Sequence, residues 1–149
     1  MAERITEQQI NNVAGGRHHF TRKDTEFGTE IEQIRCDSEG RFIDHSRTFY
    51  DHSGKAWRGE TLDEFGSVHS SYEITYGPGT WDAEIIEYDC AGNMTGRTIG
   101  TWDDEFKAKA EIYYDASGAF VGKKVHTRDE DHYYRPRIYD RNGKLLPPF

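Results

Sequence analysis

The segment Tyr133-Tyr134-Arg135-Pro136-Arg137-Ile138-Tyr139 sets two guanidinium groups two residues apart among phenol hydroxyls. In an extended chain, residues of one parity share a face, so Tyr133, Arg135, Arg137 and Tyr139 would point together. Two Arg forks so placed can grip a carboxylate or enolate bidentately. Two further groups have matching chemistry, Trp57-Arg58-Gly59-Glu60 and the stretch carrying Asp44, Ser46 and Thr48. Let the Tyr that precedes each Asp of a turn point inward, in phase with Ile74/Tyr76 and Ile112/Tyr114. Arg58, Glu60 and Leu62 then face inward, as do Asp44, Ser46 and Thr48. A desolvated carboxylate, Glu60 or Asp44, beside a phenol such as Tyr114 would have a raised pKa and could shuttle a proton. Arg58, Tyr72, Arg135, Arg137, Tyr139 and Trp57 would bind the ligand. The opposite parity satisfies the alternation equally well. Arg135 and Arg137 would then pair with surface acids, Tyr134, Pro136 and Ile138 would face the core, and Glu60 would be ion-paired with Arg58 or Arg135. Pro136 marks a bulge or an edge in either case.

Other chemistries find little footing. Seven His include no HxH or HExxH spacing, and the adjacent His18-His19 point to opposite faces of a strand, so no metal is expected. A single proximal haem ligand would leave no spacing to detect. Cys36 and Cys90 belong to no CxxC pair and lie at turns. No Gly-rich phosphate loop is present, and no cofactor is expected. With 27 Asp+Glu against 19 Lys+Arg, the net charge is −8, which repels phosphate backbones and argues against nucleic acid. No apolar run approaches the ~20 residues of a spanning helix, and the first residues have no apolar h-region. A reducing cytoplasm is the expected location, with no membrane partner. A homodimer is left open.

The elements that must position these groups follow from an internal period. An aromatic or apolar residue, Asp, two variable residues and Gly recur at Tyr50-Asp51-His52-Ser53-Gly54, Tyr88-Asp89-Cys90-Ala91-Gly92, Tyr114-Asp115-Ala116-Ser117-Gly118 and Tyr139-Asp140-Arg141-Asn142-Gly143. Weaker copies begin at Cys36 and Leu62. The copies starting at 36, 62, 88 and 114 are 26 apart, and the last follows 25 later. Turn-like clusters lie halfway between, among them Trp102-Asp103-Asp104-Glu105 and Arg128-Asp129-Glu130-Asp131. Asp caps a tight turn and the following Gly supplies positive φ, so strands of about 7–9 residues fit between turns. Phe106, Ala108, Ala110, Ile112 and Tyr114 alternate with Lys107, Lys109 and Glu111, which is the period of a half-buried strand. Only Ile5 to Val13 suits a helix, with Thr6 as cap and Gly15-Gly16 as stop. The expectation is an all-β protein. It is an antiparallel up-and-down meander of about ten strands, closed as a barrel over residues 17–149, with residues 1–16 as a helical plug in one single domain. Closure would remove both exposed edges and leave a ligand cavity.

Helix, Gly-Gly and meander together resemble the calycin superfamily of lipocalins and fatty-acid-binding proteins, with Gly16-Arg17-His18 standing where lipocalins carry Gly-x-Trp. Arg137-Ile138-Tyr139 is similar to the Arg-x-Tyr with which fatty-acid-binding proteins hold a carboxylate on a late strand. That resemblance implies a small organic ligand in the barrel. The Tyr-Asp-x-x-Gly copies also resemble YD repeats, the strand-turn units of bacterial Rhs-type shells.

The leading expectation is a small-molecule-binding barrel with a polar, aromatic cavity. It could work as a cofactor-free isomerase or cyclase through orientation and preorganised hydrogen bonds. The alternatives are a carrier that binds without reaction, and a non-catalytic immunity- or antitoxin-type module whose acidic β surface covers a basic partner. An open sheet, or the lack of a cavity above ~300 Å³, would remove the basis of the enzyme and carrier readings.

Overall fold

A computed structural model describes the backbone of residues 4–11 and 17–147 and the side chains of 17–147. The described elements are all strands: β1 (Arg4–Asn11), β2 (Arg17–Thr25), β3 (Gly28–Cys36), β4 (Phe42–Tyr50), β5 (Ala56–Leu62), β6 (Val68–Tyr76), β7 (Ala83–Asp89), β8 (Met94–Asp103), β9 (Ala108–Asp115), β10 (Phe120–Val125) and β11 (Arg137–Tyr139). They follow one another in sequence order, and every described ladder is antiparallel. Among the described residues no helix is long and apolar enough to cross a membrane.

Two expectations are corrected. Residues 5–11 are not a helical plug but part of β1, paired with β2 from Arg4↔Asp24 to Asn11↔Arg17. A lone helix under ~12 residues is marginal in water, whereas the ladder satisfies the same backbone groups against a neighbour. Asn12 and Val13 lie outside the described residues. The meander is not closed either: β1 pairs with β2, β11 pairs with β10, and no ladder among the described residues joins β1 to β11.

The turns are built as the repeat suggests. Asp51 Oδ1 accepts from the backbone N–H of Ser53 at 2.9 Å and of Lys55 at 3.0 Å, and Gly54 N–H donates to Asp51 O at 3.0 Å. The turns at Asp37, Asp63, Asp115 and Asp140 repeat these bonds. The closing glycines, 40, 54, 66, 92, 118 and 143, hold φ between 78° and 88°, which side chains resist. The Ser53 and Ser117 hydroxyls, aided by backbone N–H groups, hold Asp51 and Asp115 below the ordinary carboxylate range. At Asp37 backbone donation from Arg41 does the same.

A register shift accompanies most of these turns and decides which side chains share a face. Tyr50 pairs with Ala56, but Phe49 pairs with Arg58. The extra residue moves Arg58, Glu60 and Leu62 onto the face of Phe49, Arg47 and His45, opposite Asp44, Ser46 and Thr48. Similar shifts fall at Arg35/Cys36, Thr61/Leu62, Glu87/Tyr88 and Phe120/Gly122.

The chain divides into two compact units, residues 1–73 with 89–92 and residues 74–88 with 93–149. In the first, Leu62 and His45 are the deeply buried large side chains. In the second, Ala108, Ala110 and Val125 form a small core against which Phe106 and Tyr139 pack. Phe27, Phe65, Trp57, Trp81 and Trp102 stay well exposed. Much of the aromatic content therefore serves surfaces rather than a central core.

Candidate functional site

In the first unit, cross-strand pairing of β3, β4, β5 and β6 brings charged residues together on one face. Arg47 is central. Its Nη2 lies 3.1 Å from Glu32 Oε2, its Nη1 3.0 Å from Glu60 Oε1, and its Nε 3.0 Å from Glu30 Oε1, the last without hydrogen-bond alignment. Arg58 continues the row, with Nη2 3.2 Å from Glu60 Oε2 and Nη1 3.0 Å from Glu73 Oε1. His45, only 7% exposed, sets Nε2 3.0 Å from Glu32 and Nδ1 3.4 Å from the carbonyl of Asp63. Burial pushes the Glu32 carboxyl up. The hydrogen bonds from His45 and Arg47 more than offset this, so its pKa falls below the ordinary value. Burial also works against the Arg47 charge, and Glu32, Glu30 and Glu60 together hold its pKa above the usual value.

These contacts correct the acid–base expectation. Glu60 lies between two guanidinium groups, each within 3.2 Å, so both of its oxygens are engaged by Arg47 and Arg58. Asp44 is gripped by Arg35, whose Nε stands 2.9 Å from both carboxylate oxygens while Nη2 contacts Oδ2. Hydrogen bonds from Arg35 hold its pKa below, not above, the ordinary carboxylate value. Asp44 and Glu60 also occupy opposite faces. Tyr114 belongs to the second unit, where the Arg97 guanidinium lies 5.6 Å from its ring centroid and Phe120 meets it edge-on. Asp44 and Glu60 are thus not brought together on one face. Tyr72, expected to bind ligand, lies on the face opposite Arg58 with its ring over Gly59. Trp57 packs against Phe49 at 5.7 Å between centroids and lines an open groove with Phe27 and Tyr50.

The second unit holds a different arrangement. Val125 pairs with both Ala110 and Arg137, and Lys123 with both Ile112 and Tyr139. Arg137 and Tyr139 therefore share the face of the small apolar core. Arg137 is half-buried, its guanidinium carbon 4.7 Å from the Phe106 ring centroid and its Nε 3.1 Å from the Tyr139 hydroxyl oxygen, to which it donates. It lines a groove of about 400 Å³ with Phe106, Arg128, Asp129, Arg135, Pro136 and Leu145. Arg135 does not join it as a second fork on one strand. Pro136 has no N–H, β11 starts only at Arg137, and Arg135 donates instead from its backbone to Thr127 O and from Nε to Asp129 Oδ2, both within 2.9 Å. Arg128 reaches the groove from the preceding segment, its Nη1 2.9 Å from the carbonyl of His132. Among the described residues no carboxylate stands within 4.0 Å of Arg128 or Arg137.

A hydrogen-bonded chain fastens the segment that carries Arg128. Glu111 on β9 accepts from Tyr113 O–H at 2.8 Å and from His126 Nε2 at 2.9 Å, and His126 Nδ1 lies 2.7 Å from the hydroxyl of Tyr134, whose ring stacks on the imidazole. The Glu111 carboxylate accepts, so Nε2 carries the hydrogen that donates to it. Burial, followed by the bond to Glu111, raises the Tyr113 pKa and keeps the phenol protonated. Burial raises Glu111, but donation from Tyr113 and His126 brings it below its ordinary value. Both ends of the segment from residue 126 to 134 are thereby tied to the sheet.

The sequence reading singled out Arg137 and Tyr139 but missed Arg128, Phe106 and the Glu111–His126–Tyr134 chain. The chain has no sequence signal, since its members come from β9 and a loop far along the chain. Arg128 had one: it precedes an Asp-x-x-x turn of the repeating kind. Among the described residues no group of three His, Cys, Asp or Glu side chains could hold a metal ion. No protein-family model matches this chain, and no curated protein matches it significantly.

Proposed function

We propose that the protein is a non-catalytic binding protein whose second unit takes a small organic carboxylate. The observation that carries this reading is Arg137, a half-buried guanidinium seated on an apolar face without an acidic partner among the described residues. Taking such a group out of water costs free energy unless an anion meets it. Phe106 and Tyr139 hold the planar fork in place, which lowers the ordering cost of a bidentate contact. Arg128 supplies a second charge, and Leu145 and Pro136 supply apolar wall for the rest of the ligand. Binding without chemistry is favoured because Glu60 and Asp44 occupy opposite faces of their sheet and both are already ion-paired. The capture of a basic partner by an acidic surface has less support. Glu30, Glu32, Glu60 and Glu73 are engaged by Arg47 and Arg58 rather than left facing a partner.

The test is calorimetric titration with octanoate and with its uncharged counterpart 1-octanol. Octanoate should bind and the alcohol should not. Arg137→Ala should weaken octanoate about tenfold or more, and Tyr139→Phe by a smaller factor through loosening of the fork. Octanoate affinity unchanged by Arg137→Ala rejects the site.

A further inference from the structure

The groove that Trp57 lines in the first unit has a volume of about 460 Å³, and Phe27, Phe49 and Glu30 line it as well. Glu30 and Phe49 are direct cross-strand partners on β3 and β4, so they share a face. The register shift that pairs Tyr50 with Ala56 and Phe49 with Arg58 leaves Trp57 as the extra residue. Its ring meets that of Phe49 at 47°, which makes a corner rather than a flat stack. Phe27 comes from the tip of the β2–β3 hairpin. Gly28 lets that tip approach β4, since a Cβ at residue 28 would collide with the carbonyl oxygen of Tyr50. His52 Nε2 donates to the carbonyl of Glu26 and fastens the tip from the next turn. Phe27 is thus 78% exposed on an anchored turn.

The polar side chains of this lining differ in what still faces them. Thr29 O–H donates to Asp24 Oδ1 at 2.9 Å, and Thr25 Oγ1 accepts from Phe27 N–H at 3.1 Å. Glu30, with its side chain 26% exposed, accepts no hydrogen bond among the described residues. Arg47 Nε stands 3.0 Å away but out of alignment. Arg47 is also shared with Glu32 and Glu60, and the row of Glu30, Glu32, Glu60 and Glu73 meets two guanidinium groups with four carboxylates. A partly buried carboxylate without a hydrogen bond, next to ring faces, favours a cation.

We propose that this groove binds a quaternary ammonium group, with its methyls against Trp57, Phe49 and Phe27 and its charge near Glu30. The negative face of each ring attracts the cation, and the attraction grows as the site loses water. A primary ammonium would give up water hydrogen bonds that rings cannot replace, whereas a quaternary nitrogen has no N–H to leave unsatisfied. This groove belongs to the other unit from that of Arg137, and the proposal does not depend on the carboxylate reading.

Choline and 3,3-dimethyl-1-butanol have the same shape and differ in the charge of one atom. In calorimetric titrations at constant ionic strength, choline should bind at least about tenfold tighter than the alcohol, and tighter than ethanolamine. Trp57→Leu keeps an apolar wall without the ring and should weaken choline about tenfold, while the alcohol changes by less than about twofold. Glu30→Gln should weaken choline about threefold or more, again sparing the alcohol. A short peptide carrying trimethyl-lysine, run alongside, identifies the source of the head group: tighter binding than choline points to a modified protein, weaker binding to a free small molecule. No binding of choline, equal affinity for choline and the alcohol or ethanolamine, or choline affinity that survives Trp57→Leu overturns the proposal.

Discussion

Arg47 and Arg58 in the first unit and Arg128 and Arg137 in the second are used oppositely. In the first, Arg47 and Arg58 are surrounded by Glu30, Glu32, Glu60 and Glu73, and each guanidinium has at least two carboxylate neighbours. In the second, Arg137 rests on an aromatic ring and a phenol, and Arg128 on a backbone carbonyl. The first pattern is cross-strand pairing that stabilises a sheet. The second leaves positive charge unmatched among the described residues on an ordered, partly desolvated frame, which is the condition for binding an anion. The residue type is the same, and the neighbours across the ladder decide its role.

Deleting the charge in each unit should separate the two roles. Arg47→Met leaves three carboxylates close together without their cation, and should cost about 2–3 kcal/mol, less than a fully buried pair because the cluster is partly solvated. Urea or thermal unfolding would show it as a drop of about 6–10 °C. A loss below about 0.5 kcal/mol would mean that the pairs are solvated surface contacts and would erase the contrast.

The acid limb of stability should carry the signature of the first unit. Glu32 has a lowered folded pKa, so below its unfolded value, about 4.3, the unfolded chain binds the proton more readily. Its contribution is complete above that value and is lost as pH falls through the folded pKa. Glu32→Gln should therefore flatten the fall of the urea midpoint below about pH 4.5 relative to wild type. An unchanged slope would place the acid sensitivity elsewhere, for instance at Glu111 or the turn aspartates.

The smallest effect is expected from Arg137→Met in ligand-free protein. It removes a cation–π contact and one hydrogen bond but keeps the stem over Phe106, and should change stability by about 0.5 kcal/mol. A loss as large as that of Arg47→Met would make Arg137 a structural residue and weaken the binding proposal.

The turns were legible because their chemistry is local. Asp51 bonds to N–H groups two and four residues on, and Gly54 adopts a φ that few other residues tolerate, so spacing alone reveals them. The strands between them, such as Ala108–Asp115, were legible from alternation. Arg137 and Tyr139 share a face because the pairing across β9, β10 and β11 keeps Ile112, Lys123 and Tyr139 in line, as alternation along one strand requires. The same reasoning failed for Glu60 and Asp44. One extra residue at Phe49/Tyr50 reverses the parity of everything beyond it, and a bulge leaves no residue-type signal there. Arg135 failed because Pro136 ends the ladder, a break the proline did announce.

By itself, the sequence determined an all-β meander, the position of its hairpins and the polarity that first marked the chain as unusual. These depend on contacts within a few residues. The tertiary structure alone decided that the meander stays open and that residues 4–11 add a strand. It also decided that Glu60 meets Arg47 across a ladder, and that Arg128, Phe106 and Arg137 line one groove. Those outcomes depend on register and on pairs far apart in the chain. A strand fixes only that side chains alternate, and it is the neighbouring strand that decides what each one meets.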